Sequence, residues 1–137
     1  MDLIDHDAPY IKTLPAILTS AECATMRAKI DASALSTATI NTPRGARLET
    51  AIRNNERFME DDHALAETLL RRIEAHAPPR AMGMALCGVN ERMRYFRYRP
   101  GTWFRPHTDG SFERSDIERS LYTLIVYLSD DFEGGHT

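Results

Sequence analysis

Several features are scarce in this sequence of 137 residues, and each scarcity excludes a class of protein. The two cysteines, Cys23 and Cys87, are too few for a disulfide scaffold and lack the spacing of a metal site. No apolar run approaches the roughly 18 residues that a membrane span needs. The first ten residues are acidic and do not resemble a secretory signal. We therefore expect reduced cysteines, a cytoplasmic location and no membrane partner.

Excess basic charge is missing as well, because the formal net charge is -3. Nucleic-acid and membrane-surface partners usually require a basic surface, so the overall charge indicates neither. The chain length suits one domain with one hydrophobic core. The sequence does not fix an oligomeric state.

The hydrophobic pattern predicts two helices. Thr19 and Glu22 form a capping-box pattern, and the apolar residues that follow at helical spacing predict a helix over about 20–32. Asp61 or Asp62 is placed to cap a second helix, whose apolar stripe ends before a Pro-Pro pair.

Extended segments are predicted in the remaining sequence. Residues 10–18 suit a strand or an extended lead-in, and residues 33–57 suit a loop with short extended pieces. The alternating, aromatic segment 90–101 predicts a strand, and 120–130 has the strongest strand pattern, with both faces largely apolar. Because helices precede strands in this interpretation, it favours an α+β fold with helices packed on an antiparallel sheet.

A histidine and an aspartate stand two residues apart in the segment "RPHTDG" (105–110). Because side chains alternate along a strand, His107 and Asp109 can present a nitrogen and an oxygen to one point, which suits a divalent metal ion. Two histidines and one carboxylate with open positions opposite are typical of non-haem Fe(II) oxygenases. The alternative is a solvated turn, since the flanking residues are turn formers.

The pair ends the first of three motifs, Y-x-x-G-x-x-F-x-x-H-x-D. The motifs T-x-x-x-Y-L and G-G-x-T follow it. The matching residues are Tyr98, Gly101, Phe104, His107, Asp109, Thr123, Tyr127, Leu128, Gly134, Gly135 and Thr137. In order and spacing they resemble the prolyl 4-hydroxylase-like Fe(II)/2-oxoglutarate-dependent dioxygenases. Residues 53–62 and the helix after them are similar, less specifically, to a helical support region in one branch of that family.

The resemblance implies a set of site residues. His107 and Asp109 would be the catalytic metal ligands for Fe(II). The residues expected to line the 2-oxoglutarate pocket are Tyr98, Thr123, Ile125 and Tyr127. Strand alternation would place the last three on one face, although buried hydroxyls in a core, bonded to backbone, are an alternative. Glu91 and Arg119 are candidates for substrate contact. His136 is a further candidate ligand, but we expect it to be an exposed turn residue.

The resemblance also implies a fold, a reaction and an incomplete site. We expect a double-stranded β-helix (jelly roll) in one domain over 1–137, with a helical support region over 1–80 and the first half of the β-core over 81–137. The reaction would hydroxylate a C–H bond, most suitably in a prolyl or other residue of a protein or peptide, or in a small molecule. It would use Fe(II), O2 and 2-oxoglutarate, which becomes succinate, with ascorbate as a further candidate. The distal histidine and the Lys or Arg that holds 2-oxoglutarate are not found, so we expect the sequence to be the front part of a longer protein.

Two other functions fit parts of the sequence. One is a jelly-roll scaffold without catalytic activity. The other is a single-stranded nucleic-acid-binding module, because arginines and aromatic residues are interleaved over 92–105. The acidic whole chain weighs against the second, and the arginines can instead pair with Glu91, Glu113 and the acids near residue 130.

Overall fold

Both helices of the computed structural model begin where the sequence places their caps. Helix α1 (Ser20–Ala32) follows Thr19, whose hydroxyl accepts the Glu22 N–H at 3.2 Å, while the Glu22 carboxylate accepts the Thr19 N–H at 2.7 Å. This capping box satisfies two N–H groups that the helix itself leaves without partners. Helix α2 (His63–Ile73) follows Asp62, which accepts an N–H of the first turn at 2.9 Å. Both predicted helices are confirmed.

The strands are short. The structure describes residues 10–135 and residue 137, and within them nine strands accompany the two helices. They are β1 (Ser36–Thr37), β2 (Ile40–Thr42), β3 (Gly45–Arg47), β4 (Glu56–Asp61), β5 (Arg80–Ala81), β6 (Met84–Ala85), β7 (Arg92–Arg97), β8 (Glu113–Ser115) and β9 (Glu118–Arg119). The predicted strand within 90–101 is confirmed as β7, and the short extended pieces within 33–57 are confirmed as β1 to β3.

The main sheet is antiparallel and has the order β1-β4-β7. Strands β4 and β7 pair along six positions, from Glu56 opposite Arg97 to Asp61 opposite Arg92. The other strands form three two-stranded ladders: β2 with β3, β5 with β6, and β8 with β9. The helices and antiparallel sheets confirm the α+β class. Within the described residues the sheets do not close into a barrel, and the jelly roll stays a prediction. The expected order of helices before strands is wrong, because β1 to β4 precede α2.

The strand predicted over 120–130 does not form. These residues have no ladder, and most of their side chains are exposed. A strand requires a neighbour that pairs with its backbone N–H and C=O groups, and no strand of the described part pairs with this segment. The strand alternative for residues 10–18 is wrong for the same reason, and that segment instead turns at 15–18 before α1.

The core is small and is built from both helices, the main sheet and neighbouring segments. Its apolar members are Leu18, Ile30, Ala38, Ala66, Leu69, Ile73, Ala81 and Tyr95. Tyr95 stacks on Phe58 across β4 and β7 with ring centres 5.1 Å apart, and its burial raises the pKa of its hydroxyl to about 12. Because β4 and β7 come from opposite sides of residue 80, the sheet joins the two predicted halves of the chain.

Two further observations concern the cysteines and the helices. Cys23 and Cys87 are both free thiols. In the part of the chain that the structure describes, neither helix combines the length and the apolar character that crossing a membrane demands.

Candidate metal centre

The segment that carries His107 starts from a fixed point. Phe104 pairs with Arg53 in an isolated antiparallel bridge. The Arg105 N–H donates to the Ile52 carbonyl at 3.0 Å, and the Arg105 side chain donates to the Ala51 carbonyl at 2.7 Å. These bonds hold the chain two residues before His107 against the segment that precedes β4.

His107 and Asp109 come together without a strand. His107 Nε2 lies 3.3 Å from Asp109 Oδ1, although residues 105–110 have neither helix nor strand structure. The prediction that the two groups can converge agrees with this distance. The strand alternation on which it relied is wrong, because an irregular turn brings the side chains together instead.

The hydrogen bonding of His107 decides which ring nitrogen can bind a metal ion. Its Nδ1 lies 2.8 Å from the Arg105 carbonyl oxygen. A carbonyl oxygen only accepts, so Nδ1 carries the hydrogen and donates. In the neutral ring the lone pair is then on Nε2, which faces the Asp109 carboxylate. Two acceptors face each other there, and either a proton or a metal cation between them satisfies both.

The distance between these two atoms fits shared coordination. Two ligand atoms that bind one metal ion at about 2.1 Å, with a right angle between the two bonds, lie about 3 Å apart. One imidazole nitrogen and one carboxylate oxygen suit a first-row metal ion of intermediate hardness. The residues present therefore fit two of the three protein ligands that an Fe(II) oxygenase site uses.

Thr123 orients the carboxylate. Its hydroxyl donates to Asp109 Oδ2 at 2.6 Å, so Oδ2 is engaged while Oδ1 is turned toward His107. This hydrogen bond to a predicted ligand is a contact that the sequence motif alone did not indicate. The predicted contact of Thr123 with 2-oxoglutarate stays a prediction.

The centre is open on one side. The side chains of His107 and Asp109 are 38% and 54% exposed. Among residues 10–135 and 137, no group of three or more His, Cys, Asp or Glu side chains is placed to hold a metal ion. His136, the further candidate from the sequence, lies outside the described residues, as does His6.

Arg53 and Asn55 were not identified from the sequence, yet they are the buried polar residues next to the centre. Arg53 is 6% exposed and Asn55 is fully buried. Arg53 Nε donates to Asn55 Oδ1 at 2.8 Å. Burial lowers the pKa of Arg53, and the nearby Tyr98 and Asp109 oppose that shift. Their polar, loop-like sequence context contained no signal for this burial.

The predicted 2-oxoglutarate residues are only partly assembled. Tyr98 is close enough to Arg53 and Tyr127 for both to act on its pKa, which partial burial raises. The Tyr127 hydroxyl is hydrogen-bonded to the Thr137 hydroxyl, and its ring stacks on Phe132. Ile125 is 55% exposed.

Of the two candidate substrate residues, Glu91 is engaged in another ion pair and Arg119 is exposed. The Glu91 carboxylate accepts from Arg114 at 2.5 Å, which lowers the pKa of Glu91. Arg119 is exposed on β9, opposite Glu113. Within the described residues, neither side chain forms a hydrogen bond or ion pair with His107 or Asp109.

The arginines of the segment 92–105 pair with acids other than those expected. Arg92 forms an ion pair with Asp61, and Arg97 pairs with both Glu56 and Asp31. The predicted pairing with Glu91, Glu113 and the acids near residue 130 is wrong for these arginines. The reason is tertiary packing, since β4 lies directly against β7 and supplies Asp61 and Glu56, while α1 supplies Asp31.

Comparison with protein-family models, curated proteins and solved structures finds no match to this chain.

Proposed function

We propose that this chain is an Fe(II)/2-oxoglutarate-dependent dioxygenase with a jelly-roll fold, acting in the cytoplasm. The substrate would be a prolyl or other residue of a protein or peptide, with a small molecule as the other class. One observation supports the proposal most strongly. The Nδ1–H of His107 is held by a carbonyl, and its Nε2 lies 3.3 Å from Asp109 Oδ1.

Each residue of the centre has a role in this proposal. His107 and Asp109 offer one nitrogen and one oxygen, and Thr123 keeps the carboxylate turned so that Oδ1 is free. The exposed side leaves room for 2-oxoglutarate, oxygen and substrate. When bound, the ferrous ion would supply the oxidation in which a C–H bond, 2-oxoglutarate and O2 become C–OH, succinate and CO2.

The decisive experiment measures metal binding and succinate release with one matched pair of variants. We expect the wild-type chain to bind Co(II), a stable substitute for Fe(II), in calorimetric titration, and to release succinate from 2-oxoglutarate only when Fe(II) is present. Asp109→Ala should abolish both. Asp116→Ala, which removes another exposed aspartate at the tip of the β8–β9 hairpin, should change neither. A wild-type chain that ignores Co(II) and Fe(II) would overturn the proposal.

A scaffold without turnover is the second candidate, and the presence of only two ligands in the described centre favours it. It predicts that Co(II) binds but that no succinate forms. The nucleic-acid module predicts salt-dependent binding of single-stranded DNA or RNA that Asp109→Ala does not affect. The ion pairs of Arg92 and Arg97 leave less free positive charge for that function.

A further inference from the structure

We propose that Arg53 is a positioning residue for His107 and acts through the ring of Phe104. The inference rests on the proposed function, because it takes His107 as a metal ligand. It concerns a residue in none of the three motifs.

The geometry is a stack in which Arg53 and His107 lie against the Phe104 ring and Phe96 lies against Arg53. The guanidinium carbon of Arg53 lies 4.5 Å from the centre of the Phe96 ring and 4.1 Å from the centre of the Phe104 ring. The Phe104 and His107 ring centres are 3.5 Å apart, with 21° between the ring planes. One face of Phe104 has no room for both neighbours at these distances. The guanidinium and the imidazole therefore lie on opposite faces, and the order is Phe96, Arg53, Phe104, His107.

The far end of the stack is fixed in the protein interior. Arg53 is 6% exposed, and its Nε–H donates to Asn55, which is itself fully buried. The Asn55 side chain in turn donates to the Glu56 carbonyl at 3.1 Å, at the start of β4. The antiparallel bridge between Arg53 and Phe104 holds the two backbones together as well. The plane of the guanidinium is thus set by the sheet.

A buried charge at this position requires an explanation beyond packing. Burying an arginine is costly unless its charge is compensated. No acidic side chain of the described residues forms an ion pair with Arg53, and the nearby Tyr98 and Asp109 offset the effect of burial only in part. The cation also contacts the faces of two aromatic rings, an attraction that strengthens when the cation is desolvated. An apolar side chain would fill the same space without that cost. It would lack both the attraction to the rings and the planar guanidinium group.

The consequence for His107 is a restricted ring. With Phe104 held by Arg53, the imidazole packs on a fixed surface while its Nδ1–H donates to Arg105. Its Nε2 is then directed at Asp109. Without the cation, Phe104 gains rotational freedom and His107 loses its platform, so the metal ion must order both rings when it binds.

The test compares Arg53→Met, which removes the charge at similar length, with Arg53→Lys, which keeps the charge and loses the plane. The control is Arg57→Met, because Arg57 is a half-buried arginine of β4 that donates to Thr39 at 3.1 Å outside the stack. NMR of the metal-free chain reports the ring protons of His107, which stacking on Phe104 shifts upfield. Calorimetry reports the affinity for Co(II).

For Arg53→Met we expect the His107 protons to lose their upfield shift and Co(II) binding to weaken about tenfold, the effect typical of a group that supports a metal ligand. Arg53→Lys should keep only part of the upfield shift and part of the Co(II) affinity. Arg57→Met should match the wild type in both measurements. A folded Arg53→Met variant with unchanged His107 signals and unchanged affinity overturns the inference.

The two proposals fail in different ways. If the wild-type chain does not bind Co(II), the proposed function is wrong, and the NMR comparison on the metal-free chain still decides whether Arg53 positions His107. If Arg53→Met does not fold by circular dichroism, Phe104→Leu takes its place, because it removes the platform and keeps Arg53. Removing Phe104 also removes its ring current, and that direct effect on the His107 ring protons is discounted. If the signals are otherwise unchanged, and the His107 tautomer and the Co(II) affinity are unchanged as well, the inference is overturned.

Discussion

At the scale of single residues, one backbone contact decides the chemistry of His107. The carbonyl of Arg105 holds the hydrogen on Nδ1, which leaves Nε2 as the donor atom for a metal ion. Asp109 has the complementary arrangement, since Thr123 engages one of its oxygens and the other faces Nε2. Each predicted ligand is thus oriented by a partner outside the pair, a backbone carbonyl in one case and a hydroxyl in the other.

The contact of Thr123 leads to a prediction about metal affinity. Thr123→Val keeps the branched shape of the side chain and removes the donor to Asp109. We expect its Co(II) affinity to fall about tenfold, because hydrogen-bond partners of ligands typically contribute 10–100-fold. Thr123→Ser keeps the hydroxyl and should bind Co(II) like the wild type in the same calorimetric titration. Equal affinities for all three proteins would show that the hydroxyl does not orient the carboxylate.

At the scale of elements, the two helices are joined by a forked ion pair. Arg72 of α2 donates to both oxygens of Glu22 on α1, at 2.7 and 2.9 Å, and Glu22 also closes the capping box at Thr19. Bidentate pairs of this kind have better geometry than most surface ion pairs. One carboxylate therefore serves the start of α1 and the contact between α1 and α2.

This carboxylate predicts an acid-sensitive step in stability. The hydrogen bond from Arg72 and that from the Thr19 backbone lower the pKa of Glu22 from 4.5 to about 2. Since the folded state holds the proton less tightly than the unfolded state, the contribution is complete above pH 4.5. It is lost as the pH falls from there toward about 2. Melting temperatures should show Glu22→Gln less stable than the wild type at pH 7, with the difference shrinking below pH 4.5.

A control variant separates this pair from ordinary surface charge. Glu67 of α2 lies 3.7 Å from Arg71 in an exposed pair one helical turn apart. Pairs of that kind contribute little, so Glu67→Gln should melt close to the wild type at both ends of the pH range. An equal pH-dependent shift in both variants would mean that the fork between the helices does not carry the effect.

At the scale of the whole molecule, the core is small and much apolar surface is exposed. The exposed large side chains include a run between residues 121 and 127, which are Leu121, Tyr122, Leu124, Ile125 and Tyr127. Val126 and Leu128, with the opposite parity, are less exposed than Ile125 and Tyr127. The alternation of a strand thus remains partly visible in the exposure of the side chains, although no ladder forms.

This exposed run predicts binding of a hydrophobic dye. Contiguous apolar surface of this kind binds ANS, so the wild-type chain should increase ANS fluorescence under native conditions. The double variant Leu124→Lys with Ile125→Lys should reduce that signal. Ile117→Lys, at an 89% exposed position on the β8–β9 hairpin, should reduce it much less. Equal fluorescence in all three proteins would show that the run is covered in solution.

Local rules account for what could be predicted from the sequence. The caps at Thr19 and Asp62 accept N–H groups three residues away. Residues close in sequence were therefore sufficient to predict where both helices begin. The β7 strand was visible in its alternation. For His107 and Asp109 a spacing of two residues was enough to suggest that they meet, although the strand invoked for it does not exist.

Contacts between distant residues were decided by the tertiary structure. The pairing of β4 with β7 selected Asp61 and Glu56 as the partners of Arg92 and Arg97, and nothing near those arginines in sequence indicated this. The bridge from Arg53 to Phe104 likewise joins residues about fifty positions apart. A strand pattern becomes a strand only beside a partner, and an arginine becomes buried only when other segments close over it. Both conditions depend on the packed chain, because burial and backbone pairing are properties of neighbours in space.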